Sequence, residues 1–169
     1  MLQETTTTPL VETMGDEAED AMPTLGHGLI ASRLQQALGS FVEKHGLGYV
    51  FSAQTFFRIG TDTRDTDLAY VARERLANLP PDLDVDADFA PDLAVEIASR
   101  TDALAGISRK VSAYLDAGVG AVWVVNPWLR TIEVYRPDGQ VTALTRSETL
   151  TGDPVVPGFS VALSDIFPA

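Results

Sequence analysis

Apolar residues recur along this chain in two rhythms, one helical and one alternating. From His27 to about His45, Ile30, Leu34, Ala37, Leu38 and Phe41 return at the spacing of one helical face. Gly46 to Gly48 ends that helix. Tyr49 to Ile59 reads as two short strands around Ala53-Gln54, and Asp67 to Ala72 as another strand. A short charged helix or turn follows near Arg73 to Leu79, and Pro80 to Asp88 is a proline- and acid-rich loop. The helical rhythm returns over Thr101 to Ala117, with Thr101 or Asp102 as the expected N-cap and Gly118 and Gly120 as the stop. Ala121 to Val125 is an apolar strand turned by Asn126-Pro127. Thr131 to Tyr135 and Val141 to Leu144 read as strands joined at Pro137-Asp138-Gly139, a hairpin signal. The tail from Asp153 to Phe167 adds one short strand and a capping turn. Helix, strands, helix, strands predicts an α/β or α+β domain with one central mixed sheet.

The stretch Ala90 to Ser99 is unusual. In a strand, alternate side chains share a face. Leu93, Val95 and Ile97 therefore line one face, while Asp92, Ala94, Glu96 and Ala98 line the other. Packing alone gives no reason to place carboxylates between alanines, and an unpaired buried carboxylate is costly. Small neighbours leave room for an ion to approach. Asp92 and Glu96 stand four residues apart, roughly 13 Å along an extended strand, so one ion needs a ligand from elsewhere. Asp67, at the start of its own strand and on one face with Ala69 and Val71, is the best candidate. Asp92 reads as a cap of the loop from Pro91 and stays a reserve ligand. On the following helix, Leu104, Ile107, Val111, Tyr114 and Leu115 form the apolar face, and Lys110 lies at its edge. From there Lys110 can lean toward the sheet, hold a water and offset charge building on a phosphate. Asp67, Glu96 and Lys110 together suit metal-assisted phosphodiester hydrolysis, with hard carboxylate oxygens for Mg²⁺.

Each of these residues also has a plainer reading. Glu96 could pair with Arg58 or Arg64, Asp67 could be a solvated strand start, and Lys110 could snorkel. Glu43 reads as solvated, and His27 as a capping or packing residue at a helix start. Trp123 and Tyr135 read as core.

Composition narrows the options. At 169 residues the chain suits one domain. It has no cysteine, which excludes disulfides and thiolate chemistry and fits a reducing cytoplasm. Two histidines exclude three-histidine metal sites. No signal peptide or membrane span is visible. Residues 1–24 read as a flexible threonine-rich, acidic leader, and 25–169 as the domain. The net charge of −12 argues against a general nucleic-acid coating protein but not against a nuclease with a local basic groove.

Several motifs taken together resemble the Uma family of restriction-endonuclease-like proteins. They are Pro91 to Ser99; then Lys110, Tyr114 and Ala117-Gly118-Val119; then Val122 to Pro127; and Thr131 to Tyr135. Arg64 to Val71 resembles the family's strand carrying a metal-binding aspartate, which falls on Asp67. The similarity covers about residues 22 to 165. It implies the restriction endonuclease-like, PD-(D/E)xK nuclease fold. It further implies a Mg²⁺- or Mn²⁺-dependent endonuclease acting on DNA in a bacterial cytoplasm, with a homodimer as a suitable form for cutting two strands. By the resemblance, Glu96 is the acidic member of the (D/E)xK element. Ala98 stands where its lysine is expected, and that role falls to Lys110. Thr66, Arg100 and Asn126 also depart from the family pattern, and its acidic-hydrophobic N-terminal hairpin is missing. The alternative is a catalytically inactive nuclease fold serving as a binding or assembly module.

Overall fold

In the computed structural model, which describes residues 23–169, the first helix is set by a side-chain cap. The Thr24 hydroxyl accepts the backbone N–H of His27 at 3.2 Å, satisfying one of the donors a helix start leaves free. Helix α1 (Leu25–Lys44) then buries Ile30, Leu34, Leu38 and Val42 along one stripe. Each such side chain contributes about 1.5–3 kcal/mol by leaving water. The expected leader lies, through residue 22, outside the described residues.

Strand β1 (Gly48–Ser52) follows. Gly48 has φ 141°, and a Cβ there would stand 2.1 Å from the Val71 carbonyl oxygen. Only glycine lets the two strands meet so closely at that point. Next comes a hairpin, β2 (Phe56–Ile59) with β3 (Asp62–Asp65), paired Phe56 to Asp65 and Ile59 to Asp62. The second arm, Asp-Thr-Arg-Asp, carries no apolar alternation, so no strand was expected there. Strand β4 (Leu68–Ala72), helix α2 (Arg73–Leu76) and strand β5 (Leu93–Ile97) come next. Helix α3 (Leu104–Asp116) crosses over to β6 (Ala121–Asn126), which is followed by β7 (Thr131–Tyr135) and β8 (Val141–Thr145). The expected single tail strand is two, β9 (Thr149–Thr151) and β10 (Ser160–Ala162), before helix α4 (Leu163–Ile166).

The central sheet has the order β1-β4-β5-β6-β7-β8. β5 and β6 run parallel and the other neighbours antiparallel, which is the mixed sheet the sequence predicts. A parallel pair requires a crossover, and α3 is that crossover. One face of the sheet packs under α1, α4 and the tail through Leu93, Val95, Ile97, Trp123, Val125 and Phe159. The other packs under α3 through Ala69, Val71, Ala94, Val122 and Val124, against Val111 and Tyr114. Two expectations at α3 are corrected. Its N-cap is Ala103, with no side-chain bond; the Asp102 carboxylate is taken by the Ser99 N–H at 2.5 Å. Leu104 is 80% exposed and lies off the buried stripe. Tyr135 is half-buried rather than core, and its hydroxyl donates to Glu133 at 2.5 Å. No helix among the described residues is long and apolar enough to cross a membrane.

Candidate active site

The alternation of β5 decides which side chains meet. Val95 and Ile97 point under α1, so Glu96 between them points to the α3 side. β4 pairs antiparallel with β5, Leu68 opposite Val95, so Asp67 falls beside Glu96 one step further along. The Ile97 N–H donates to Asp67 Oδ2 at 2.6 Å and fixes that carboxylate against the strand end. Crossover helix α3 lays Lys110 and Tyr114, one turn apart, over the same point. Lys110 Nζ donates to Glu96 Oε2 at 3.0 Å, and the Tyr114 hydroxyl donates to Glu96 Oε1 at 2.6 Å. The helix-edge position inferred for Lys110 is what lets it reach the sheet. Arg58 and Arg64 pair instead with Asp88 and Asp62, so they do not engage Glu96.

The burial of the ion pair is asymmetric. The Glu96 side chain is 12% exposed and that of Lys110 47%. Burial pushes the Glu96 carboxyl above its ordinary 4.5, outweighing the Lys110 ammonium and the Tyr114 hydroxyl, which pull it down; neighbouring Asp67 adds a small upward push. Burial opposes the charge on Lys110, yet the facing Glu96 carboxylate prevails and raises its pKa, so the ammonium persists. Tyr114 is raised by burial and by Glu96, so its hydroxyl stays protonated and acts as a donor.

Asp67, Glu96 and Lys110 open together onto a cavity of about 450 Å³ that His27, Thr66 and Asp102 also line. Sequence reasoning missed two members of this group. His27 Nε2 lies 3.3 Å from Asp67 Oδ1, besides its backbone role in the cap; no local pattern reports that the start of α1 meets the end of β4. Tyr114 was assigned to the apolar face, and its ring is buried there, but its hydroxyl reaches Glu96. Asp92 is not part of the group. Its Oδ2 accepts the Ala72 N–H at 2.8 Å and its Oδ1 pairs with Arg75 at 3.1 Å. Asp92→Ala should therefore lower stability by about 1–3 kcal/mol, the cost of an unsatisfied buried donor, and leave Mn²⁺ affinity unchanged. Urea unfolding and a metal titration on the same sample check both halves.

Among the described residues, no third His, Cys, Asp or Glu completes a ready-made ligand cluster. That donor set suits Mg²⁺ or Mn²⁺ better than zinc, because Mg²⁺ keeps several waters and takes one or two carboxylates plus substrate phosphate. Thr66, 3% exposed on the cavity wall, has an Oγ1 with no hydrogen-bond partner. A buried hydroxyl normally finds one, so this oxygen is an unsatisfied polar atom beside the cavity. Of the other departures from the family pattern, Asn126 has a visible use: its Oδ1 accepts the N–H groups of Trp128 and Leu129 and closes the β6–β7 turn.

No curated protein matches the chain. Among solved structures, the crystal structure of a putative nuclease belonging to DUF820 from Anabaena variabilis shares the fold. It superposes with a TM-score of 0.77 over 86% of this chain and 82% of that one, at 19% identity. The family described as "Uma2: Putative restriction endonuclease" matches residues 5–164, reaching further toward the N-terminus than the motifs recognised in the sequence. With a match over nearly its whole length, the chain belongs to the Uma2 family.

Proposed function

We propose that this protein is a Mg²⁺- or Mn²⁺-dependent endonuclease that hydrolyses phosphodiester bonds in DNA. The observation that carries this reading is the meeting of Asp67 and Glu96, from neighbouring strands, beneath the Lys110 ammonium at one open cavity. Asp67 and Glu96 would hold the metal, which when bound lowers the pKa of water and polarises the phosphate. Lys110, half in solvent, orients the attacking water and offsets the charge gathering on the phosphoryl oxygens. Tyr114 keeps the Glu96 carboxylate turned to the cavity, and the Ile97 N–H does the same for Asp67. The water oxygen bonds to phosphorus as the P–O bond to the leaving sugar oxygen breaks, and that oxygen takes up a proton. Membership of the family described as "Putative restriction endonuclease" supports the nuclease reading.

A second reading, a nuclease fold retained for binding or assembly, draws on one observation. Both Glu96 oxygens and Asp67 Oδ2 already have protein donors, so the carboxylates are satisfied without a metal. The deciding experiment is nicking of supercoiled plasmid at low salt with Mn²⁺, Mg²⁺ or chelator, beside calorimetric Mn²⁺ titration. Metal-dependent nicking is expected. Absence of both nicking and Mn²⁺ binding by the folded protein would overturn the nuclease reading.

A further inference from the structure

Away from the catalytic cavity, α2, the β2–β3 hairpin and the Pro80–Asp88 loop enclose an apolar cleft of about 350 Å³. Phe51, Phe56, Leu76, Leu83, Val85 and Phe89 line it. Phe56 is 53% exposed and Val85 45%, so the cleft opens its apolar wall to water. Exposed apolar surface rimmed by polar residues marks interaction sites.

The rim defines the partner. Residues 82–88 read Asp-Leu-Asp-Val-Asp-Ala-Asp. Leu83, Val85 and Ala87 line the cleft, and all four aspartates are exposed. Arg58 neutralises Asp88 at 2.9 Å. Among the described residues, Asp82, Asp84 and Asp86 have no cationic partner. Arg75 lies over the Phe89 ring at 4.8 Å and is paired with Asp92. Three uncompensated carboxylates therefore border an apolar wall that already stacks one guanidinium. This charge disfavours nucleic-acid phosphates, an anionic lipid surface and a second copy of a chain of net charge −12. It also disfavours residues 1–22 of this chain, which hold Glu4, Glu12, Asp16, Glu17, Glu19 and Asp20 and no Lys or Arg.

We infer that this cleft docks a cationic segment of a partner protein, with apolar side chains seated among Phe51, Phe56 and Val85 and flanking Lys or Arg on Asp82, Asp84 and Asp86. Phe56 stands directly opposite Asp65 in the hairpin ladder, and Asp65 lines the catalytic cavity. A docked basic segment thus adds positive charge within one hairpin's width of the catalytic cavity, on a chain whose net charge of −12 works against the approach of a polyanion.

The test uses the full chain carrying Glu96→Gln, without metal, so that its outcome is independent of cleavage. The probe is a fluorescein-labelled peptide alternating lysine and leucine around a central phenylalanine, followed by anisotropy at about 150 mM salt. One twin peptide replaces the apolar residues by serine, and another replaces the lysines by glutamate. The labelled peptide should bind saturably and both twins fail. Phe56→Ser, Val85→Ser, and the pair Asp84→Asn with Asp86→Asn should each weaken binding at least about tenfold. Because Phe56 and Val85 are about half exposed and the two aspartates exposed, each variant should stay folded, as melting curves check. Absence of binding, binding unaffected by Phe56→Ser and Val85→Ser, or equal binding of the serine twin would overturn the proposal. Displacement of the peptide by oligothymidylate in a Phe56-dependent manner would assign the cleft to nucleobases instead.

Discussion

Replacing Glu96 by glutamine should reduce metal-dependent nicking by about 100-fold or more, the order lost when a preorganised charge is removed from an active site. Mn²⁺ affinity should fall with it. The change is isosteric, and the amide can still meet the Tyr114 hydroxyl, which lies 2.6 Å from Glu96 Oε1. What it removes is one negative charge at a side chain 12% exposed. Burial already disfavours that charge, so the variant should be at least as stable as the parent near neutral pH. Loss of activity with equal or higher stability is the signature of a residue held for chemistry. Nicking rates, calorimetric titration and urea midpoints on one preparation check it. A fully active Glu96→Gln protein would remove Glu96 from the site.

Lys110→Met should cut nicking by a comparable factor, about 100-fold, and should also move the acid limb of the pH profile upward. The direction follows from the pair. The Lys110 ammonium pulls the Glu96 carboxyl down against burial. Without it, burial acts with less opposition, and Glu96 ionises at still higher pH. Stability carries the same sign. Because the folded pKa of Glu96 lies above its ordinary 4.5, the folded protein holds this proton more tightly than the unfolded chain. The resulting stabilisation is present below 4.5 and fades as pH rises through the folded value. In Lys110→Met that window extends upward. Nicking across about pH 5 to 9 and urea midpoints over the same range test both effects. An unmoved acid limb would show that Glu96 does not set it.

The side-chain placements legible in the sequence are those governed by local period. Strand alternation separates Glu96 from Val95 and Ile97, and the 100° helical step puts Lys110 at the edge of the α3 stripe. Both arguments need nothing beyond the residues of a single element. The parts that escaped depend on elements far apart in the chain. His27 meets Asp67 because α1 begins beside the end of β4, and no pattern in either segment reports that contact. Tyr114 has an apolar body and a polar tip, and periodicity counts only the body. Asp92 reads from sequence as a loop cap and reserve ligand because its two partners, the Ala72 N–H and Arg75, lie some 20 residues upstream. The acidic-edged cleft was visible as a loop composition, but its apolar wall comes from Phe51, Phe56 and Phe89 on separate elements.

Strand β5 has a side-chain period of two, so a slip of one residue would turn Val95 into the cavity and bury Glu96 beneath α1. Asp92, gripping Ala72 and Arg75 at one end, and the Ile97 N–H, bound to Asp67 at the other, act as two pegs that forbid this slip. The chain's tolerance of length change is accordingly uneven. The exposed Pro80–Asp88 loop can gain or lose residues without turning the sheet over. One residue inserted or deleted between Asp92 and Ile97 would exchange the chemical face of the protein for its structural one.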